Sequence, residues 1–168
     1  YTLISLGRDR RALVAAYRYL VMGTIGATFF LIGVGLIYMV TGTLNIADMA
    51  ERIRPLHDTR PVLAAFAFIT VGLGLKLALF PLHLWLPNAY AYAPSVVTAL
   101  LAGTATKVAV YLLLRFVFTL FGPTFAFAGQ PLAMLLMALA LVAILATSTS
   151  AIFQQDAKRL LAYSSVAQ

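Results

Sequence analysis

Residues Val62-Leu-Ala-Ala-Phe-Ala-Phe-Ile-Thr-Val-Gly-Leu-Gly-Leu-Lys-Leu-Ala-Leu-Phe80 form an apolar run that carries one charge, Lys76, and ends against Pro81. About 20 residues of helix cross a hydrocarbon core of roughly 30 Å, so this run has the length of a membrane span. Three more runs of at least that length lie outward from it, at 19–41, 95–121 and 131–153. They are joined by an Arg-rich turn at 7–18, a polar loop at 42–61, a Pro-containing turn at 81–94 and a Gly/Pro turn at 122–131. A polar stretch at 154–159 leads into a last apolar segment, and no internal repeat or low-complexity tract interrupts the pattern. The expected fold is all-α: a polytopic transmembrane helix bundle with four full spans, two partial ones, and the second full span broken near Pro81.

Composition points the same way. The 168 residues are 62% hydrophobic and 10% charged, with mean hydropathy +0.96, whereas soluble domains carry about 25% charged residues. A compact soluble chain of this size could not hide so much apolar side chain, so the lipid bilayer is the expected solvent. With no cysteine, disulfides, thiol catalysis and Cys-based metal sites are excluded. The net charge of +7 invites a nucleic-acid partner, but the basic residues do not cluster beside exposed aromatics and none is expected. They fit membrane orientation better. If spans alternate, Arg8, Arg10, Arg11 and Arg18 share a side with Lys158 and Arg159, while Arg52, Arg54, Arg60 and Arg115 lie opposite among Asp48, Glu51 and Asp58. The first group, the turn around Arg8–Arg18 with the Lys158–Arg159 loop, is expected on the cytoplasmic side.

The chain opens at Tyr1 and stops at Gln168, each time within an apolar segment and without a secretory signal pattern. The expectation is a single domain, 1–168, that is the central part of a longer membrane domain. Within the 42–61 loop, Asn45 is placed to cap a short helix with Asp48 near its positive end. Ile46, Met49, Ala50 and Ile53 would then share one face, as in an amphipathic helix lying at the interface or in a gating or docking element.

Chemistry is expected at two lysines. Lys76 lies deep in the second span and Lys107 near the middle of the third, both expected to be buried. A central lysine costs about 2.5–3.5 kcal/mol on insertion scales, which suggests a compensating use. Desolvation disfavours the charged form, so a buried lysine can give up and regain a proton, whereas arginine stays charged. The alternative is a fixed ion pair. Pro81 lacks an N–H, so the Leu77 carbonyl is expected to lose its helical partner, with Gly72 and Gly74 loosening the turn before it. Pro87 follows in the same turn region. Carbonyls freed at membrane depth need a protein interior or a water-filled cavity.

On the third span, Thr104 and Tyr111 fall three residues before and four after Lys107, on the same helical face. Their hydroxyls suit a water-bridged path, or Thr104 bonds its own backbone and Tyr111 packs. His83, with an ordinary pKa near 6.5, suits a relay or sits among Trp85, Tyr90 and Tyr92 in an aromatic belt. His57 is expected to be solvated. All five acidic residues fall in loops, so neither a metal site nor a sodium cage of hard oxygens is expected, and no cofactor pattern is present.

Three stretches carry a family likeness: Lys76-Leu-Ala-Leu-Phe-Pro-Leu-His-Leu-Trp-Leu-Pro-Asn-Ala-Tyr90, Ala93-Pro-Ser-Val-Val-Thr-Ala-Leu-Leu-Ala-Gly-Thr-Ala-Thr-Lys107 and Tyr111-Leu-Leu-Leu-Arg-Phe116. Together they resemble the antiporter-like family, which includes the proton-pumping membrane subunits of respiratory complex I and the large subunits of Mrp cation/proton antiporters. Asp156-Ala-Lys-Arg-Leu-Leu-Ala-Tyr-Ser-Ser165 looks like a further family motif. The resemblance implies a longer bundle, of which this chain covers the end of the fifth helix to the start of the tenth. It implies that Lys76 matches a lysine in a discontinuous seventh helix, paired with a glutamate that would precede Tyr1. Lys107 matches a lysine on the eighth that passes protons onward.

Gly103-Thr-Ala-Thr-Lys107 and Gly7-Arg-Asp-Arg-Arg-Ala-Leu13 look more like the D-type large component of Mrp antiporters. The implied function is a proton-translocating, non-redox subunit in a bacterial inner membrane, with other membrane subunits as partners and sodium or potassium as the exchanged cation. Membership of an NADH:quinone oxidoreductase or hydrogenase complex is the alternative, and a non-conducting scaffold the third.

Overall fold

The computed structural model describes residues 1–7, 9–129 and 132–167. In chain order the helices are α1 (Thr2–Ser5), α2 (Arg10–Thr41), α3 (Ile46–Ile53), α4 (Arg60–Leu77), α5 (Leu86–Tyr92), α6 (Ser95–Arg115), α7 (Leu132–Ile152) and α8 (Ala157–Ala167). A 3-10 turn, Arg54–Leu56, follows α3, and π-helical segments at Phe116–Phe121 and Thr124–Gly129 follow α6. No strand occurs among the described residues. Four segments are long and apolar enough to cross a membrane: Arg10–Thr41, Arg60–Leu77, Ser95–Phe121 and Ala133–Ile152. The all-α, four-span expectation holds.

The Arg-rich stretch is not the turn expected. Asp9 occupies the N-cap position, and the 32-residue α2 begins at Arg10, absorbing Arg11 and Arg18 into a helical extension of the span. At 1.5 Å per residue it runs about 48 Å, well beyond the hydrocarbon core. No Gly or Pro lies between Arg10 and Met22, and Arg, Ala and Leu are strong helix formers, so nothing stops the helix where the charges begin. Arg8 and Pro131, assigned to loops from sequence, lie outside the described residues.

The far end of α2 closes at Gly42 (φ +69°), whose N–H returns to the Tyr38 carbonyl at 2.8 Å, a left-handed ending that favours glycine. Asn45 caps α3 as expected, its Oδ1 accepting from the Ala47 N–H at 3.0 Å. Met49, Ala50 and Ile53 are buried together with Ile37, Val62 and Phe121, while Ile46 is exposed. The apolar face of α3 is thus spent on the bundle itself. Arg52 fixes the junction, donating to the Thr41 carbonyl at 3.1 Å and to Asp48 at 2.7 Å. The first bond sets a cation on carbonyls left over at the end of α2.

The principal helix pair is α2 with α4, and small residues make it close. A Cβ built on Gly72 would lie 2.7 Å from the Gly26 carbonyl oxygen and from the Phe30 nitrogen. One on Gly33 would lie 2.6 Å from Ile69 and 3.0 Å from the Ala65 carbonyl. Such contacts are the usual means by which membrane helices approach. Gly72 therefore serves the crossing. Phe66, Phe121 and Phe125 lock the outer end of the pair edge-to-face or stacked, with centroids 4.9–5.8 Å apart.

Candidate functional site

The last turn of α4 is where the chain breaks, four residues before Pro81. Ala78 adopts a left-handed conformation (φ 58°, ψ 40°). The Leu79 N–H returns to the Gly74 carbonyl at 2.9 Å and the Ala78 N–H to the Leu75 carbonyl at 3.3 Å. That pair of bonds is a Schellman ending, with alanine where glycine is usual. Trp85 reaches back so that its Nε1–H donates to the Leu75 carbonyl at 3.1 Å. A carbonyl at the broken end is thus satisfied by a side chain ten residues on. Tight turns follow (Leu82 N–H to Leu79 carbonyl, 2.6 Å; Leu86 N–H to His83 carbonyl, 3.0 Å). The helix resumes as α5, with Pro87 in its first turn, where a missing N–H is harmless. Of the residues assigned to the break from sequence, Gly74 supplies a capping carbonyl, Pro81 sits in the connecting turn and Pro87 opens α5.

Lys76 lies on that last turn, where the negative end of the helix dipole favours a cation. It lines a cleft of about 500 Å³ between α2, α4 and α6, together with Tyr19, Thr24, Trp85 and Thr104. Both threonine hydroxyl protons are committed to backbone: Thr104 donates to Leu100 at 2.7 Å, and Thr24 to Leu20 and Val21 at 2.9 Å. Their oxygens keep lone pairs for an ammonium or a water donor.

Lys107 lines a second cleft, about 310 Å³, formed by the break residues Leu77–Phe80, Thr106, Ala143 of α7 and Ser165 of α8. The expected grouping of Lys107 with Thr104 and Tyr111 is therefore divided. Thr104 belongs to the Lys76 cleft, and Tyr111 is 61% exposed and lines neither. Thr24, Thr106 and Ser165 were not picked out from sequence, and Trp85 was read only as part of an aromatic belt. Hydroxyls inside apolar runs were the available signal, but which cleft each faces depends on packing.

Both lysines are exposed on this chain, not enclosed by its own helices as sequence position suggested. Four spans are too few to cover one another's outer faces. Among the described residues the one ion pair is Arg52–Asp48, so neither lysine has a carboxylate within 4.0 Å.

His83 is 6% exposed, stacked on Phe80 with centroids 5.1 Å apart, and its Nδ1 has no hydrogen-bond partner. It lines neither lysine cleft. His57 is half-buried rather than freely solvated: it packs on Phe125 with ring centroids 4.6 Å apart, its Nε2 is buried without a partner, and burial pushes its pKa below the ordinary value. Among the described residues no three His, Asp or Glu side chains converge to hold a metal.

At the other end of α5, α8 is clamped in place. Asp156 caps α8, its Oδ1 accepting from the Lys158 N–H at 2.9 Å. Lys158 Nζ donates to the Ala93 carbonyl at 3.0 Å. Arg159 donates to Asn88 Oδ1 at 2.9 Å and to the Tyr92 hydroxyl at 2.7 Å, with its guanidinium 5.2 Å from the Tyr92 ring centre. Asn88 and Tyr92 also line a cleft with Arg10, Arg11 and Arg18, so the two basic groups assigned to one side do meet at one end of the bundle.

The whole chain, residues 1–168, matches the family described as NADH:quinone oxidoreductase/Mrp antiporter, TM. It is 49% identical, over its full length, to 33% of the N-type subunit of the NADH-quinone oxidoreductase of Desulforudis audaxviator. It is 33% identical, again over its full length, to 33% of the D-type subunit of the Na(+)/H(+) antiporter of Alkalihalophilus pseudofirmus. Among solved structures, a chain of the membrane-bound sulfane sulfur reductase, an archaeal respiratory membrane complex, superimposes with TM-score 0.87 at 34% identity, covering 99% of this chain and 34% of that one. The chain spans about a third of the length of these relatives.

Proposed function

The chain belongs to the NADH:quinone oxidoreductase/Mrp antiporter transmembrane family, and from that premise we propose that it is the central part of a proton-translocating membrane subunit. Lys76 is the switchable proton carrier and Lys107 the onward relay. The observation that carries this reading is the position of Lys76: the last turn of a helix that ends inside a broken span, facing a cleft whose hydroxyl oxygens are free to accept. A proton arriving at the amine is held by the helix end and by those lone pairs. A small rearrangement of the break, where Ala78 and Trp85 set the backbone, changes the field at the amine. Leu77–Phe80 form one wall of the Lys107 cleft, so the same movement reaches both lysines. His83 lies in the connecting turn of the break, outside both clefts, and is a further candidate proton-transfer group there.

In this reading the partners are further membrane subunits, and the remaining helices of the longer subunit cover the exposed lysine faces. The basic end, with Arg10, Arg11, Arg18, Lys158 and Arg159, faces the cytoplasm of a bacterial inner membrane, following the positive-inside rule. Antiport of sodium or potassium against protons is the first form of the activity. Proton pumping driven by redox chemistry elsewhere in a complex is the second, and the 49% identity to an oxidoreductase component favours it. The test is Lys76→Ala in the full-length protein within its assembled complex, reconstituted in vesicles with an internal pH dye. The complex is expected to assemble and proton-coupled transport to be lost. Transport at the unsubstituted rate overturns the assignment. An imposed sodium or potassium gradient that drives proton movement without an electron donor selects antiport over redox-driven pumping.

A further inference from the structure

The cleft between the start of α2 and α5, about 420 Å³, is lined by Arg10, Arg11, Arg18, Asn88 and Tyr92, with Asp9 as its one carboxylate. Arg10, Val14 and Arg18 are spaced i, i+4, i+8 and so share one face of α2. Arg10 and Arg11 occupy the first turn, where the positive end of the helix dipole opposes cations and no acidic residue stands. None of the three arginines forms an ion pair among the described residues. Three exposed guanidinium groups lining one cleft raise the positive potential there, which favours an anion.

The opposite wall is already set up as a donor surface. Arg159 occupies Asn88 Oδ1 and the Tyr92 hydroxyl oxygen, which leaves the Asn88 amide protons and the Tyr92 O–H available to donate. The cleft thus presents planar guanidinium forks, an amide and a phenol, a set that suits phosphate oxygens.

We propose that this cleft binds the phosphate of an anionic phospholipid headgroup. A free phosphate offers the same chemistry, but the surroundings favour the lipid. Leu13, Val14 and Tyr17 on α2 are 56%, 47% and 67% exposed beside the arginines, giving an apolar path from the cleft for an acyl chain. The site also lies where a helix longer than the hydrocarbon core meets the headgroup layer. Basic pockets between transmembrane helices are the usual receptors for such headgroups. The proposal is independent of proton transfer at Lys76.

The test uses the full-length protein in its complex, reconstituted in nanodiscs of phosphatidylglycerol mixed with phosphatidylcholine, with retained lipid counted by native mass spectrometry. Phosphatidylglycerol is expected to be retained preferentially. Each arginine near the surface contributes about 1 kcal/mol, or roughly fivefold. Arg10→Gln with Arg18→Gln should therefore lower retention by about 25-fold, and Arg18→Gln alone by about fivefold. Arg10→Lys with Arg18→Lys, which keeps the charge and tests against misfolding, should keep most of it. Equal retention by the Gln and unsubstituted proteins overturns the proposal. So does complete displacement by inorganic phosphate whatever the acyl chain, which would assign the cleft to a soluble anion.

Discussion

The two lysine clefts differ in how the backbone beside each is held. Lys76 stands on the final turn of α4, where the helix closes on a left-handed alanine and borrows an indole N–H from Trp85. Lys107 stands in the middle of α6, an unbroken helix from Ser95 to Arg115, and faces the break from across a cleft. The same side chain is thus mounted once at a helix end and once within a continuous helix. A charge near an adjustable helix end can be reset by small backbone movement, while a charge on a continuous helix responds only to what moves opposite it. The contrast supports the proposed roles of Lys76 as switch and Lys107 as receiver.

The largest effect should come from the lysines themselves. Lys76→Ala and Lys107→Ala should each remove proton-coupled transport, and the double substitution should add nothing, because groups acting in series are not additive. Transport surviving in Lys107→Ala would separate the two clefts. The next effect concerns the crossing that holds Lys76 against α2. Gly72→Ala places a Cβ 2.7 Å from backbone atoms of α2 and should destabilise by about 1–3 kcal/mol. Gly23→Ala, on the same cleft with nothing within 4 Å, should be near neutral in the same thermal unfolding assay in detergent.

Removing the borrowed donor should cost less. Trp85→Phe keeps an aromatic ring but leaves the Leu75 carbonyl with the Ala78 N–H alone, a loss of about 0.5–1.5 kcal/mol. It should also slow transport through Lys76; an unchanged rate would detach the break from the switch. The smallest effect belongs far from both clefts, at His57. Burial depresses its folded pKa, so the unfolded chain takes up the proton first as pH falls. Stability is therefore present above the ordinary histidine value near 6.5 and lost as pH drops through the depressed one. His57→Phe should flatten that acid-side decline in a melting series from pH 7.5 to about 5.

Much of this was legible residue by residue. The spans follow from run length alone, and Asn45 caps α3 because its chemistry is local. A break near Pro81 was legible too, since proline cannot continue the helical hydrogen-bond ladder whatever packs around it. Where sequence reasoning failed, the outcome rested on a neighbour. Gly72 read as a loosening residue because nothing local shows that α2 crosses at that level. The stretch after Asp9 read as a turn because its charges outweighed its helix formers. Thr104 was assigned to Lys107, three residues away, yet the packing of α6 against α4 places it on the Lys76 cleft.

Sequence by itself determined the solvent, the number of spans, the two intramembrane amines and the family, since hydropathy, charge and short motifs are properties of consecutive residues. Only the tertiary structure decided that Lys76 sits at a capped helix end, that the lysines open on separate clefts, and that Arg159 and three arginines of α2 converge on Asn88 and Tyr92. Those facts join residues far apart in the chain, and the packing that joins them is carried by small residues and backbone carbonyls, which leave no periodic trace in the sequence.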